Sequence, residues 1–391
     1  MTAARRAVAG GCALGFAAGW NVANTGAVAQ PLAAAYGVGL ATVGLFTTAL
    51  FVTHLAMQLP AGWASDRFGP RRVGILGLTT IAAFAAVSLI AHDTTLVLAA
   101  RALTGIGTGT CFIAGSAYVR AQGGSPFAQG LFGGVALGGG GVALGVVPGI
   151  ESVVGWRAPF LTAVCVALVA LVVLGAGPVD SDSPAHDKVR GQPLKSVVGD
   201  RRLYPLAVLF AASLGLSIVI GNWVVTLLHR HGGLDKGRAG VIAALTLVIG
   251  VVSRPLGGWI LHVHPGRVRR AVAWSLIAGA LGTLLLATAD PAAAVAGAVL
   301  VGLAAGIPFA PAFTGAALIR PDSQAAAVGV VNAAASVVVL LGTPLLGFSF
   351  SLPGGGRAGF VVVAVLWLSG FLVLPSRLSA SVTPGSESPE G

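Results

Sequence analysis

GWASDRFGPRRVG, residues 62–74, sets four charges, Asp66, Arg67, Arg71 and Arg72, within seven positions. Only 9% of the 391 residues are charged, so this cluster takes its meaning from its flanks. On one side lies the apolar run 41–63 and on the other 73–91. Each is close to the ~20 mostly apolar residues that cross a bilayer as a helix. The stretch therefore reads as a charged loop between two spans.

The same pattern recurs along the chain. With 55% hydrophobic residues and a mean hydropathy of +0.90, the composition is far from the ~25% charged content of soluble domains, and lipid is the expected solvent. Twelve spans are predicted: 8–28, 41–63, 73–91, 95–119, 127–149 and 157–176, then 203–228, 239–261, 268–288, 292–313, 325–350 and 358–375. A start with Arg5 and Arg6 before an apolar run resembles a signal peptide. The series of similar runs after it argues for an uncleaved first span. The hydrophilic interval 177–202 reads as a linker between an N-terminal half, 1–176, and a C-terminal half, 203–376, with 377–391 a disordered polar tail.

Lysine and arginine in the connecting segments orient the chain. A cytoplasmic N-terminus places sixteen of them inside, including Arg5, Arg6, Arg67, Arg71, Arg72, Arg120, Arg267 and Arg320. Five remain outside: Arg157, Arg230, Lys236, Arg238 and Arg357. Both termini are thus expected in the cytoplasm and the protein in the cytoplasmic membrane, and the excess of arginine over lysine reads as bacterial codon usage.

A net charge of +11 does not point to nucleic acid, because the basic residues form no face and are not interleaved with aromatics. Cys12, Cys111 and Cys165 lie in separate apolar runs without a CxxC, so no disulfide or metal framework is expected. His229/His231 and His262/His264 read as interfacial histidines. No phosphate-binding G-x-x-x-x-G-K-[ST] and no zinc-protease HExxH occurs, so the chain reads as no enzyme, and no cofactor is expected.

A shift of 196 residues lays Gly62 on Gly258, Trp63 on Trp259, Arg71 on Arg267 and Pro148 on Pro344. WRAPF (156–160) and GRAGF (356–360) match with slight slippage. Two parallel six-helix repeats are the simplest source of such matches.

Gly62, Asp66, Arg67, Gly69, Arg71 and Arg72 fit G-x-x-x-D-R-x-G-x-[RK]-[RK]. The stretch resembles the signature of the major facilitator superfamily between its second and third helices, with Pro70 where many members have arginine. The resemblance implies an all-α membrane protein of twelve transmembrane helices in two six-helix repeats, a monomeric secondary transporter that alternates access to a midplane site. It also implies a gating latch, Asp66 pairing with arginines and with the end of the eleventh helix. His262 replaces that aspartate in the second repeat. RALTGIGTG (101–109) resembles the family's helix-four motif through Arg101, Gly105 and Gly107, and in many members that arginine is linked to proton coupling.

Two arginines are expected inside the membrane, Arg101 and Arg254, whereas none of the acidic residues falls clearly within a span. Ionisable groups at that depth mark functional sites by default. Arg254, near the bilayer centre and without a buried carboxylate, is a natural counter-charge for an anionic cargo. The nitrate/nitrite branch grips its anion with an arginine from each half, but the repeat places Gln58 opposite Arg254, which counts against nitrate itself. Gln58, His54, Asn21, Asn24, Asn222, Trp223 and Asn332 are the further candidate cavity residues. Gly134, Gly138, Gly141, Gly145 and Gly149, with Pro148 and Pro344, are expected to serve helix packing or bending. The expected cargo is a small or organic anion or a polar neutral solute, with the proton as candidate coupling ion. A proton-coupled exporter of hydrophobic compounds, and a non-transporting sensor or scaffold, are the alternatives.

Overall fold

The computed structural model describes residues 2–179 and 193–374. Half of the predicted linker 177–202, residues 180–192, and the tail lie outside the described residues. Among the described residues helices are the sole regular structure. The first repeat comprises α1 (Ala3–Ala23), α2 (Leu40–Ala56 with Gln58–Phe68), α3 (Pro70–Ile90), α4 (Thr94–Ala121), α5 (Pro126–Val154) and α6 (Ala158–Gly175). In the second, α7 joins Tyr204–Phe210 to Leu216–His231 through a wide turn at Ala211–Gly215, followed by α8 (Lys236–Val263) and α9 (Val268–Thr288). Then come α10 (Pro291–Gly306 with Phe309–Ile319), α11 (Gln324–Phe348) and α12 (Arg357–Leu372).

Among the described residues, eight continuous helical runs are long and apolar enough to cross a membrane, one of them, Pro126–Gly175, holding both α5 and α6. The bent α2, the shorter α12 and α1 complete the twelve-helix bundle. The spans correspond one to one with the predicted series. The first span is shifted as a whole: α1 begins at Ala3 rather than residue 8 and stops at Ala23, followed by a turn and a short helix, Ala29–Tyr36.

Local chemistry explains most of these limits. Asp93, Ser125, Asp235 and Asp290 accept the third backbone N–H of α4, α5, α8 and α10, which satisfies donors that a helix leaves orphaned. Pro70, Pro126, Pro159 and Pro291 stand in the first turn of their helices, where a missing N–H costs nothing. Inside a helix the same ring lacks the N–H that would bond residue i−4 and collides with its carbonyl. Pro60 thus accounts for the break at Met57, where α2 bends by 47°. Pro308 accounts in the same way for the interruption of α10.

The repeats meet chiefly at two crossings: α5 packs along α8, and the second segment of α2 packs on α11. Glycines allow the close approach. A methyl on Gly62 would lie 2.6 Å from the Ala325 carbonyl oxygen, and one on Gly134 would lie 2.5 Å from that of Val251. Farther along α5, a methyl on Gly138 would just reach Val251 at 3.9 Å, and one on Gly141, Gly145 or Gly149 would meet nothing within 4 Å. The repeats therefore touch at the end of the bundle that carries Asp66 and diverge toward the other.

Within the first repeat Gly105 of α4 faces the backbone of Leu50 in α2, and Gly107 faces Gly77 and Ile81 of α3. Gly105→Val should destabilise the protein by about 1–3 kcal/mol through overpacking. Gly141→Ala should change stability by less than about 0.5 kcal/mol, since its methyl enters open space. Thermal melts of both variants in detergent check the contrast.

Candidate functional site

At the Asp66 end, the hairpin between α2 and α3 turns on one residue. Gly69 sits at φ +91°, a left-handed conformation that a side chain would strain. The turn places Asp66 in the last turn of α2, against the start of α11. Its two carboxylate oxygens accept the backbone N–H groups of Ala325 and Ala326, each at 2.9 Å. Ser323, the residue preceding α11, makes no capping bond of its own. A carboxylate from the other repeat thus occupies the place of the N-cap, where N–H donors and the positive end of the helix dipole favour an anion.

Of the two kinds of partner expected for Asp66, the end of the eleventh helix is the one it bonds; among the described residues no arginine stands within ion-pair distance of it, although Arg120 acts on it through charge. The orphan N–H groups of α11 supply its hydrogen bonds instead. Arg67 lies over the rings of Trp63 and Phe68, and Arg71 donates to the Leu174 and Gly175 carbonyls at the end of α6. Arg72 is at the start of α3. A residue the sequence reading passed over joins the contact: Arg120 of α4 donates to Gln324, the first residue of α11, at 3.3 Å. Beside it Asp200 bridges Arg202 at 2.7 Å and Arg320 at 3.6 Å. The hydrogen bond from Arg202 holds the Asp200 carboxyl down at about 2.

Beyond this contact, between the diverging helices, lies a cavity of about 330 Å³ whose lining includes His54, Phe51, Phe112, Asn222, Arg254 and Asn332. Along α5 it begins at Ala136 and along α11 at Asn332, just past the glycines of the crossings, so it faces away from the Asp66 end. Apart from Ser336, whose hydroxyl donates to the Asn332 carbonyl, its walls are otherwise aliphatic and aromatic.

Arg254 is only 3% exposed yet lines the cavity. It reaches across to α5, donating Nη1–H to the Gly133 carbonyl, and its guanidinium carbon stands 4.7 Å from the centre of the Phe309 ring. Its Nε–H has no hydrogen-bond partner, and no carboxylate among the described residues pairs with it. Phe309 stacks on Phe313 at 4.4 Å, and Phe210, Phe112 and Phe132 join them. This aromatic group, drawn from both repeats, was not legible as a unit in the sequence because its members lie on four helices.

The other candidates divide into two groups. His54, Asn222 and Asn332 line the cavity with Arg254. Asn222 donates to Thr343 at 3.0 Å, and Asn332 donates at 2.8 Å to Gln58, which in turn donates to the His54 carbonyl. Gln58 is fully buried and ties α2 to α11. Trp223 donates to the Thr343 carbonyl. Asn21 and Asn24 bond the carbonyls of Ala17 and Pro159. These last four are not part of the cavity lining. Neither is Arg101, which is 1% exposed and donates to the Asn21 carbonyl at 2.7 Å and toward the Thr25 hydroxyl. It ties α4 to α1. Pro148 and Pro344 lie inside α5 and α11. Among the described residues no group of three His, Cys, Asp or Glu could hold a metal ion.

This architecture agrees with known proteins. The sequence profile of the Major Facilitator Superfamily matches residues 11–273. A Cupriavidus necator protein described as "Probable sulfoacetate transporter SauU" is 27% identical over 303 residues, 70% of this chain and 69% of the relative. The human organic anion transporter MFSD10 (TETRAN) superposes with a TM-score of 0.75 at 18% identity, covering 96% of this chain and all of that one. FucP in the outward conformation gives a TM-score of 0.72 at 18% identity over 95% and 99%. The profile match, extending over well more than half of the chain and through both diagnostic motifs, establishes that this multi-pass membrane protein belongs to the Major Facilitator Superfamily of transporters.

Proposed function

We propose that the protein carries a small organic anion across the cytoplasmic membrane by alternating access, and that Arg254 is the residue that holds the anionic group. The carrying observation is a buried guanidinium in the wall of the central cavity with one N–H unpartnered and no carboxylate to neutralise it. Leaving a charge so is costly unless a counter-charge arrives, and a carboxylate or sulfonate fits the guanidinium fork. The aliphatic and aromatic remainder of the wall suits the carbon part of an organic anion better than a hydrated inorganic one. The description of the Cupriavidus necator relative as a sulfoacetate carrier is consistent with this reading. The apolar walls also favour the second reading, an exporter of hydrophobic compounds, but such cargo has no use for Arg254.

In this reading the Asp66 end is cytoplasmic, as the distribution of lysine and arginine indicates, and the cavity faces the outside. Asp66 then latches the inner gate by capping α11 across the two repeats. Release of the latch lets the α2–α11 and α5–α8 crossings part while the outer ends close.

Two experiments test this. In proteoliposomes, Arg254→Ala should lower uptake of labelled sulfoacetate at least tenfold, a loss of about 1.4 kcal/mol or more, and Arg254→Lys should retain part of it. Unchanged uptake by Arg254→Ala would sink the anion site, and uptake of hydrophobic cations instead would favour the exporter. For the latch, Asp66→Asn should lose about 1 kcal/mol of capping and dipole interaction. That shifts the conformational equilibrium roughly fivefold away from the outward state. A cysteine introduced at Leu144 in the cavity of a background lacking native cysteines should then react correspondingly more slowly with an impermeant maleimide added outside. An unaltered rate counts against the latch.

A further inference from the structure

Among the residues lining the cavity, His54 and Arg254 are the ionisable ones, and the geometry specifies how the imidazole carries its proton. Thr108 Oγ1 lies 3.0 Å from the Gly105 carbonyl oxygen and 3.0 Å from His54 Nδ1. A carbonyl only accepts, so the Thr108–Gly105 contact uses the single hydroxyl hydrogen of Thr108 as donor. In that arrangement the hydroxyl oxygen accepts from His54, and Nδ1–H donates. In the neutral ring this leaves the lone pair on Nε2. Nε2 has no hydrogen-bond partner in the structure, yet it is not among the buried unpartnered atoms. It therefore faces the space of the cavity.

The ring is held in place from both sides. It stacks on Phe51 at 5.7 Å and 8° between planes, and Phe112 lies at 6.3 Å. From the elements packed around it, Arg254 of α8 is the charged group that shares its cavity, and Asn332 of α11 the polar neighbour. The ionisable groups of α4 point elsewhere: Arg101 to α1, Cys111 to the Gly74 carbonyl, Tyr118 to the Pro178 carbonyl and Arg120 to Gln324. Cys12 of α1 lines a separate groove with Cys165. The described carboxylates stand at helix ends, several of them as caps, so none of them offers a proton site within the cavity.

We propose that Nε2 of His54 is a proton-binding site and that the proton travels with the organic anion. This rests on the reading of the cavity as the anion site. Nε2 takes one proton from the outer water to give an imidazolium, with Nδ1–H still bonded to Thr108. The imidazolium and Arg254 then present two positive charges, matching the sulfonate and carboxylate of a dianion such as sulfoacetate. When the anion leaves on the inner side, the two cations lose their counter-charge, His54 gives the proton back through Nε2, and the emptied carrier returns with a neutral ring. Anion and proton move in the same direction, which makes the protein an uptake system driven by the proton gradient.

The first test needs no cargo. Protein labelled with 15N-histidine, its His54 signals assigned by their loss in His54→Gln, should show a neutral ring protonated on Nδ1 that becomes an imidazolium on acidification between pH 8 and 4. A neutral ring protonated on Nε2, or no titration in that range, overturns the proposal whatever the cargo. Adding sulfoacetate at pH 6 should raise the imidazolium fraction. The second test compares, in proteoliposomes, sulfoacetate accumulation under an imposed pH gradient with sulfoacetate exchange at equal pH. In His54→Gln the ratio of accumulation to exchange should fall at least tenfold, and an unchanged ratio overturns the coupling role. If the wild-type protein moves no sulfoacetate while His54 titrates as described, the cargo reading fails and the proton site stands.

Discussion

The bond on which this arrangement turns is the one between the Asp66 carboxylate and the first N–H groups of α11. It joins the repeats at the end where their helices are closest, using donors that every helix leaves unsatisfied. The acceptor comes from a residue 259 positions away in the chain. A carboxylate held by two backbone donors at 2.9 Å is strong because it is charge-assisted. At the edge of a bilayer, water can replace it when the helices part. A hydrophobic contact of equal strength would lack that directional, two-state character.

Around this bond the glycines set the shape. Gly62 and Gly134 let α2 meet α11 and α5 meet α8 at backbone distance, whereas Gly141, Gly145 and Gly149 face open space. Small residues at one end of a crossing and a gap at the other make a wedge, and the wedge is the cavity. Phe51 and Phe112 line it, and Arg254 in its wall has a ring and a carbonyl in place of a carboxylate. The acidic residues that could have neutralised it are used at helix ends. Asp93, Asp235 and Asp290 cap their own helices and Asp66 caps that of its partner repeat.

Much of this was legible in the residues. Span number and order follow from apolar length, because an unpaired backbone cannot cross hydrocarbon and each crossing needs its own helix. Caps and first-turn prolines stand at most helix starts, although the spans were read from apolar length alone. The α2 break was not foreseen, although Pro60 dictates it, because the apolar run continues through it. Of the candidate cavity residues, His54, Asn222, Arg254 and Asn332 share the cavity, while Asn21, Asn24, Gln58 and Trp223 bond between or within helices. Hydropathy cannot separate these groups, since a polar side chain buried against a carbonyl and one facing water look alike in sequence. Asp66 was read as pairing with arginines and with the end of the eleventh helix; its hydrogen bonds go to backbone N–H groups of that helix end, a detail no motif carries because a motif lists side chains.

The sequence by itself determined the solvent, the number of crossings, the repeat and the superfamily, since these depend on composition, length and local motifs. Only the tertiary structure decided which polar groups face the cavity, which end of the bundle is sealed and which nitrogen of His54 is left open. Those depend on distances between helices remote in the chain, and on whether each hydrogen-bonding group finds a protein partner or an open space.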